Sequence, residues 1–367
     1  MSLGFRRHYI SAKALNNKEV NINIGEGGTT LRFILAYYCL TGQNKILDGL
    51  GNLKSRPIMP LIRGLEQLAC LFQFENQNYY LPIKIVKGVN KDHSDVVHVD
   101  SQMSSQFVSS ILLIAPYFHN GLKVSWSPEG VSEPYIHMTL QLMQQFGIQF
   151  SIHGNSVDIK SGTYSEQTYT VEADWSAAAF ILSWIALQEK FLCFFPNLKR
   201  SGLQADEVVL NFLQAFGITA IQEENGLLVE KKSNENPKHI EFDFTNCPDL
   251  FPALAIFCAI QKVNATFKGL QHLEHKESNR LHIITNFLQL CKVTVLEILA
   301  GREMYFNMQT FQINKDITLD SHQDHRIAMA FSLLHKLTNV SISNSHVVSK
   351  SFPSYWEVFE DLRRGTS

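Results

Sequence analysis

The sequence lacks the features by which several classes of protein are recognised. Its 32 basic and 34 acidic residues give a formal net charge of −2, so no basic surface argues for nucleic acid as a partner. The six cysteines are scattered without a CxxC pair, which favours neither a zinc site nor a disulfide framework. The apolar run Ser176–Leu187 is shorter than the roughly 20 residues that cross a membrane. The first residues show no signal peptide pattern, so we expect a cytoplasmic protein without a membrane partner.

What the chain has instead is apolar segments that follow short polar turns. In Ser321–Leu337, the residues Asp324, His325 and Arg326 precede a run that is too apolar to face water. This pattern predicts a buried helix that begins at a carboxylate N-cap. The positive end of such a helix favours an anion, above all a phosphate.

The same pattern occurs five times at a nearly constant spacing. The polar turns lie at Thr29, Ser104, Ser176, Asp249 and Asp324, in steps of 75, 72, 73 and 75 residues. Between them lie amphipathic segments (GLEQLACLF, LMQQFGIQF, FLQAFGITA and FLQLCKVTV), each followed by β-rich runs. A fixed period indicates a repeated supersecondary unit, here with one buried helix, one surface helix and several strands. The length of 367 residues suggests two domains, and we place their boundary near Glu172.

Several groups at these turns could bind an anion, although each has an ordinary interpretation as well. The glycine-rich turn Gly25–Gly28 frees backbone N–H groups at a helix start. Arg56 lies in a turn that is equally typical of a solvated basic loop. Asp249 follows Pro248 at a helix start, where a carboxylate usually serves only as an N-cap.

The segment HKESNR is the second basic cluster. If it is helical, Lys276 and Arg280 are four residues apart on one face, with Glu277 between them. Such a face is usually solvated, but a lysine and an arginine could also clamp a planar anion. If the repeat brings equivalent turns together, the converging cations predict a ligand with several negative charges. In that field Asp249 is a candidate base and Glu277 a candidate acid.

These motifs resemble those of one enzyme family, 5-enolpyruvylshikimate-3-phosphate synthase (EPSP synthase). The segments GEGGTTLR, LKSRP, SSQF, SEPY, GLQAD, PD, HKESNR, QDHRIAMAFSL and KSFPSYWE occur in the family's order, from about Gly25 to Leu362. The resemblance implies an α/β enolpyruvyl transferase fold, an inside-out α/β barrel of repeated βαβαββ units, with about five of the usual six present. It implies one domain over residues 1–171 and another over 172–367, with buried helices that direct their N-termini into the cleft between them.

The resemblance also implies the reaction, which is transfer of the enolpyruvyl group of phosphoenolpyruvate to the 5-hydroxyl of shikimate-3-phosphate. Asp249 resembles the general base at that hydroxyl, Glu277 the acid near the methylene carbon, and Lys350 the group beside the leaving phosphate. The phosphoenolpyruvate site is then formed by Gly28, Arg56, Gln106, Arg280, Arg326 and Lys350, with the two later arginines on the carboxylate. The shikimate-3-phosphate site is formed by Thr29, Ser104, Ser105, Gln106, Ser132, Tyr135, Asp249 and Lys276. The scheme requires no cofactor and no metal, and we expect a monomer.

One family motif has no counterpart in this sequence. The family begins with a helix start of the pattern SKSxSNR, which supplies a lysine to the phosphate, whereas the first match here is Gly25–Arg32. Loss of a positive charge at a phosphate weakens transition-state stabilisation by several kcal/mol. We therefore expect the chain as printed to be poorly active.

Three other functions fit parts of the pattern. A non-catalytic homologue would bind shikimate-3-phosphate without forming product. The sister enzyme that acts on UDP-N-acetylglucosamine shares the repeat but presents a reactive cysteine on a mobile loop, and none of the six cysteines lies on such a loop. A repeat protein for protein partners would have polar helix starts unrelated to anions, which the arginine and lysine placement argues against.

Overall fold

The computed structural model describes residues 20–56, 58–128, 133–233 and 236–365, and these residues form two compact units. The first, here called the N-terminal unit, ends at Tyr169, and the C-terminal unit runs from Thr170 onwards. Each unit has its own cluster of buried apolar side chains and therefore its own hydrophobic core.

The described part of the N-terminal unit consists of two βαβαββ repeats. The first contains β1 (Asn21–Asn23), α1 (Gly28–Thr41), β2 (Ile46–Asp48), α2 (Met59–Glu66), β3 (Leu71–Phe74) and β4 (Ile83–Lys87). The second contains β5 (Val96–Val99), α3 (Gln106–Ile114), β6 (Leu122–Trp126), α4 (Glu133–Gln145), β7 (Phe150–Ile152) and β8 (Ser156–Ile159). The sheets have the equivalent orders β1-β2-β4-β3 and β5-β6-β8-β7, with a parallel first pair and antiparallel pairs after it.

The C-terminal unit contains three further repeats. The third repeat of the chain has α5 (Trp175–Ala186), β9 (Phe191–Pro196), α6 (Val209–Gln214), β10 (Ile218–Glu223) and β11 (Gly226–Lys231). The fourth has β12 (His239–Asp243), α7 (Phe251–Gln261), β13 (Asn264–Lys268), α8 (Arg280–Leu290), β14 (Thr294–Leu299) and β15 (Glu303–Asn307). The fifth has β16 (Ile317–Asp320), α9 (His325–Ser332), β17 (Val340–Ser343) and α10 (Tyr355–Gly365). The three sheets have the orders β10-β11-β9, β12-β13-β15-β14 and β16-β17, so the fourth repeat has the sheet of the first two.

The predicted repeat is therefore confirmed as an α/β architecture. The five apolar segments form α1, α3, α5, α7 and α9, and each amphipathic segment begins in the last turns of α2, α4, α6 or α8. No helix in the described part of the chain is long and apolar enough to cross a membrane.

The central helices of the C-terminal unit are buried on nearly every side. Eleven of the twelve residues of α5 are buried, and ten of the eleven residues of α7. A helix that is apolar all round is stable only when other elements surround it, and α7 packs against both α5 and α9. The rings of Phe216 on the α6 side and Phe257 on α7 meet edge to face with centroids 4.7 Å apart. Because these helices cannot shift without opening the core, the turns at their N-termini are held in fixed positions.

In the N-terminal unit, α3 has the equivalent position. It packs against α1, α2 and α4, and its residues Ile111 and Leu112 have no exposed surface. Leu31 and Leu35 of α1 are equally buried. This packing fixes the starts of α1 and α3 as neighbours.

Candidate functional site

The polar groups of the C-terminal unit gather where α7, α8 and α9 begin. Asp249 lies in the 3-10 turn Pro248–Leu250 that leads into α7, and Arg280 is the first residue of α8. Asp324 is the N-cap of α9, and its side chain accepts a hydrogen bond from the N–H of Arg326 at 2.9 Å. The sequence predicted this cap, and the same carboxylate also accepts hydrogen bonds from Arg280.

The Asp249 carboxylate faces three cations, and we call these four residues the Asp249 cluster. Arg280 Nη1 donates to Asp249 Oδ1 at 2.6 Å, Arg326 Nη2 lies 3.1 Å from Oδ2, and Lys276 Nζ lies 3.9 Å from Oδ1. Burial alone would raise the pKa of Asp249, but the charges of Arg326, Lys276 and Arg280 outweigh it and hold the pKa well below its usual range. Asp249 is therefore an ionised carboxylate and not a simple helix cap.

Arg280 is the most buried of these cations, with 2% of its surface exposed. Its Nε donates to Asp324 Oδ2 at 2.8 Å and its Nη2 donates to Asp324 Oδ1 at 3.2 Å. Burial works against the charged form, but Asp324 and Asp249 overcome it and raise the pKa of Arg280 above its usual value. Arg280 thus joins the start of α8 to the starts of α7 and α9.

The predicted helical pairing of Lys276 with Arg280 is wrong. Lys276 lies in the connection that precedes α8, because Asn279 caps this helix by accepting a hydrogen bond from His282 N at 2.9 Å. The two cations nevertheless meet, since both reach the carboxylate of Asp249.

A second group of polar side chains surrounds Glu277, and we call it the Glu277 cluster. Lys350 Nζ lies 2.7 Å from Glu277 Oε2, and His325 Nδ1 lies 2.8 Å from the same oxygen. Burial opposes ionisation of Glu277, but His325 and Lys350 outweigh it and lower the pKa of the carboxyl. Burial lowers the pKa of His325 in turn, against the effect of Glu277. Glu277 is therefore an ionised carboxylate in contact with Lys350 and His325.

A metal ion has few free donors here. Glu277, Asp324 and His325 offer ligand atoms that lie within 4.8 Å of one another. Arg280 already binds both oxygens of Asp324, and Lys350 binds Glu277. Because these cations occupy the carboxylates that a metal would need, the donor set fits an ion-pair network better than a metal site.

The pair formed by Ser176 and Asp206 lies beside the Asp249 cluster. Ser176, in the first turn of α5, donates its hydroxyl to Asp206 Oδ2. Asp206 is 1% exposed, and the charge of Asp249 acts on it. The sequence assigned no role to this carboxyl.

The N-terminal unit contributes a set of groups of a different kind. Arg56 lies so close to the start of α1 that a side chain at Gly28 would come within 3.3 Å of its Nη1. Arg32 of α1 approaches the same point, with its Nη2 4.0 Å from the position of a Cβ at Gly28. Burial first and the charge of Arg56 second lower the pKa of Arg32 to about 10. Among the described residues, no carboxylate lies within ion-pair distance of either arginine. Two arginines at the start of a helix, with no carboxylate partner among the described residues, favour an anion.

Polar side chains at the start of α3 complete this set. Gln106 Oε1 accepts hydrogen bonds from Arg32 Nη1 and, at 3.2 Å, from Thr29 Oγ1. Ser104 Oγ accepts from Gln106 N at 3.3 Å and from Arg32 Nη1 at 3.5 Å. Ser105 is buried as the N-cap of α3.

The predicted residues thus fall into two sets, one in each unit. The C-terminal set contains Asp249, Lys276, Glu277, Arg280, Arg326 and Lys350, and the N-terminal set contains Gly28, Thr29, Arg56, Ser104, Ser105 and Gln106. Tyr135 lies in the first turn of α4, while Ser132 falls outside the described residues. Sequence reasoning counted Arg32 only among the cations at the helix starts, and it gave no role to Asp206 or His325, although each of these residues lies in or next to a motif that was considered.

Comparison with known proteins agrees with this architecture. The family model for EPSP synthase (3-phosphoshikimate 1-carboxyvinyltransferase) matches residues 7–359. The chain is 32% identical to the 3-phosphoshikimate 1-carboxyvinyltransferase of Syntrophobacter fumaroxidans, over 93% of this chain and 80% of that protein. It is 34% identical to the protein of that name from Pyrococcus abyssi, over 94% of this chain and 78% of that protein.

A solved structure shares the fold. EPSP synthase from Acinetobacter baumannii superimposes with a TM-score of 0.72 at 20% identity, over 92% of this chain and 78% of that one. The extent of the family match and the sequence identities confirm the predicted resemblance. The chain belongs to the EPSP synthase family.

Proposed function

We propose that the chain transfers the enolpyruvyl group of phosphoenolpyruvate to the 5-hydroxyl of shikimate-3-phosphate and releases phosphate. Membership of the family supports the reaction. The observation that supports assigning this reaction to particular residues is the Asp249 cluster, in which one carboxylate and three cations meet at converging helix starts. Both substrates are phosphorylated, and the described residues offer cations in both units to receive them.

Asp249 is the proposed base for the substrate hydroxyl. With three cations around it, the carboxylate is a weak base. The carboxylate of phosphoenolpyruvate competes for the same guanidinium groups, and Arg326, which is less buried than Arg280, is the better placed to turn towards it. Each cation that moves to the substrate raises the basicity of Asp249, so binding prepares the proton transfer.

Glu277 and Lys350 are the proposed pair for the other proton. As an ionised group, Glu277 cannot donate a proton while Lys350 and His325 hold it. A phosphate that attracts Lys350 removes one of these cations, so the Glu277 carboxylate takes up a proton from water and delivers it to the methylene carbon. When the bond from carbon to the phosphate oxygen breaks, the Glu277 carboxylate takes a proton back from the methyl group, and the double bond forms again. Lys350 is left beside the departing phosphate.

The N-terminal set is the proposed anion site of its unit. Gly28, Arg56 and Gln106 would bind the phosphate of phosphoenolpyruvate, with Arg32 as an additional cation. Thr29, Ser104, Ser105, Gln106, Tyr135 and Ser132 would bind shikimate-3-phosphate, together with Asp249 and Lys276. We propose that the two units are the two domains of the family, with the boundary near residue 172. Action as a cytoplasmic monomer without a cofactor stays a prediction.

Phosphate release from the two substrates tests the proposal. Asp249→Asn should lower kcat by at least about 100-fold, because the amide cannot accept the hydroxyl proton. Glu277→Gln should lower kcat by a similar factor, since its amide cannot supply a proton to carbon. Asp361→Asn, on the exposed side of α10, is the matched control and should retain the wild-type rate.

The same assay decides between the alternatives. Ordinary turnover by the wild-type chain would contradict the expectation of low activity that follows from the unmatched motif. If no phosphate is released, calorimetry with shikimate-3-phosphate distinguishes a binding homologue, which takes it up, from a wrong assignment, which does not. All six cysteines are buried, which argues against the sister enzyme with its reactive cysteine.

A further inference from the structure

Asp206 is a buried carboxyl that the proposed mechanism does not use. Its Oδ2 accepts a hydrogen bond from Ser176 Oγ, while its Oδ1 is buried and has no hydrogen-bond partner among the described residues. An ionised carboxylate with an unsatisfied oxygen in the interior is unfavourable, because neither water nor a donor compensates its charge. The geometry therefore favours the neutral form of Asp206.

The charged groups around Asp206 come from every helix start nearby. Asp249 acts on it from the start of α7, Arg326 from α9 and Asp174 from the N-cap of α5. Lys276, in the connection before α8, and the thiol of Cys247 are affected by Asp206 in turn. Burial is the largest effect, and together with the charges of Asp249 and Asp174 it raises the pKa of Asp206 to about 7, against the effects of Ser176 and Arg326. Two carboxyls in one site do not readily ionise together, and Asp249 is the one that its cations keep charged.

The charge of Asp206 changes the balance around the Asp249 cluster. The cluster has three positive charges, on Arg280, Arg326 and Lys276, and one negative charge, on Asp249. Ionisation of Asp206 places a second negative charge beside the same cations and weakens their attraction for an anion.

We propose that Asp206 is a positioning residue which, in its protonated form, keeps a second negative charge away from the cations of the Asp249 cluster and so leaves them available to the carboxylate of phosphoenolpyruvate. This inference rests on the proposed function for the identity of the ligand. It predicts that the affinity for phosphoenolpyruvate falls as the pH rises through neutrality, so that KM rises more than kcat falls. A purely structural role for Asp206 predicts no such dependence.

The protonation of Asp206 can be measured without any activity. In carboxyl-carbon NMR of the wild-type chain, the Asp206 signal should titrate near neutral pH, and Asp206→Asn should remove that signal. Ser176→Ala removes a hydrogen bond that lowers the pKa of Asp206, so the titration should move to higher pH. Ser183→Ala, another buried serine of α5, should leave it unchanged. Titration of Asp206 together with the ordinary carboxyls in the acid range would overturn the proposal.

The consequence is measured by calorimetry with phosphoenolpyruvate as the probe. Between slightly acid and slightly alkaline pH, wild-type affinity should fall by roughly tenfold relative to that of Asp206→Asn, since one unit charge changes in one protein only. The titration of the ligand itself is common to both and cancels. If the affinity for phosphoenolpyruvate changes with pH in the same way in the two proteins, the proposal is wrong. If neither protein binds phosphoenolpyruvate while Asp206 titrates near neutrality, the proposed function is wrong and the charge state assigned to Asp206 is right.

Discussion

Asp249 carries one negative charge and faces three positive ones, so its neighbours and not its own chemistry decide how strong a base it is. Arg280 is held by Asp324 as well, whereas Arg326 makes its one ion pair in the described structure with Asp249. The two arginines therefore have different surroundings, although the resemblance places both of them on the carboxylate of phosphoenolpyruvate. We assign Arg280 mainly to the framework and Arg326 mainly to the ligand.

Replacement of Arg280 should test this division. Arg280→Met would leave Asp324 buried without its cation and Asp249 with two cations in place of three. Loss of one partner of a buried ion pair typically costs about 3–5 kcal/mol, because the other charge stays in the interior. Urea unfolding should show a loss of stability in that range.

Lys232→Met is the matched control for the Arg280 variant. Lys232 pairs with Glu230 at 3.0 Å, with 59% of the lysine side chain and 39% of the glutamate side chain exposed to solvent. Exposed pairs contribute about 0–1 kcal/mol, so this change should hardly alter the free energy of unfolding. Equal losses for the two variants would mean that Arg280 is not a structural centre.

At the scale of the elements, the start of α8 shows where sequence reasoning failed. HKESNR has charges at helical spacing, but the helix begins only at Arg280, after the Asn279 cap. The residues before the cap are thereby free to turn back, which lets Lys276 reach Asp249 and Glu277 reach Lys350. A continuous helix would have kept Lys276 and Glu277 on a rigid face of α8.

The cap itself can be tested by substitution. Asn279→Ala should lower the free energy of unfolding by about 1 kcal/mol, because His282 N loses its acceptor. Asn279→Asp keeps an acceptor at this position and should retain most of the stability. Denaturant midpoints of the two variants check the expectation, and an alanine variant as stable as the wild type would show that the cap contributes nothing.

The helices were predictable where an apolar run was long enough to decide its own burial. α5 and α7 are apolar on all sides, so their position in the core followed from composition and period alone. Asp249 and Arg326 were found because each stands at the start of such a helix. The pair of Ser176 and Asp206 was not found, since it joins residues 30 positions apart through a short 3-10 turn that has no periodic pattern.

At the scale of the whole molecule, the two units use one repeat for two electrostatic purposes. The N-terminal set has two arginines without a carboxylate partner among the described residues. In the C-terminal unit, by contrast, the arginines form ion pairs with carboxylates. The first arrangement suits strong binding of a phosphate. The second suits proton transfer, because a ligand can change which groups are paired.

The pH dependence of stability should reveal the buried carboxyls. The folded-state pKa values of Asp249, Glu277 and Asp324 are lowered, so their stabilisation is present above about pH 4 and is lost as the pH falls. Asp206 has the opposite shift. The folded chain keeps its proton up to about pH 7 and the unfolded chain only up to about pH 4, so this group makes stability fall as the pH rises between those values.

Comparison with Asp206→Asn isolates that contribution. Histidines with lowered pKa values, His325 and His335, titrate in part of the same interval with the opposite sign, but they are present in both proteins and cancel in the difference. The free energy of unfolding of the wild type should therefore decline relative to Asp206→Asn by up to about 1.4 kcal/mol per pH unit between about pH 4 and about pH 7. Urea titrations across this interval measure the difference directly. A constant difference would mean that Asp206 is ionised in the folded protein, because only a proton that the folded chain retains and the unfolded chain releases can produce the slope.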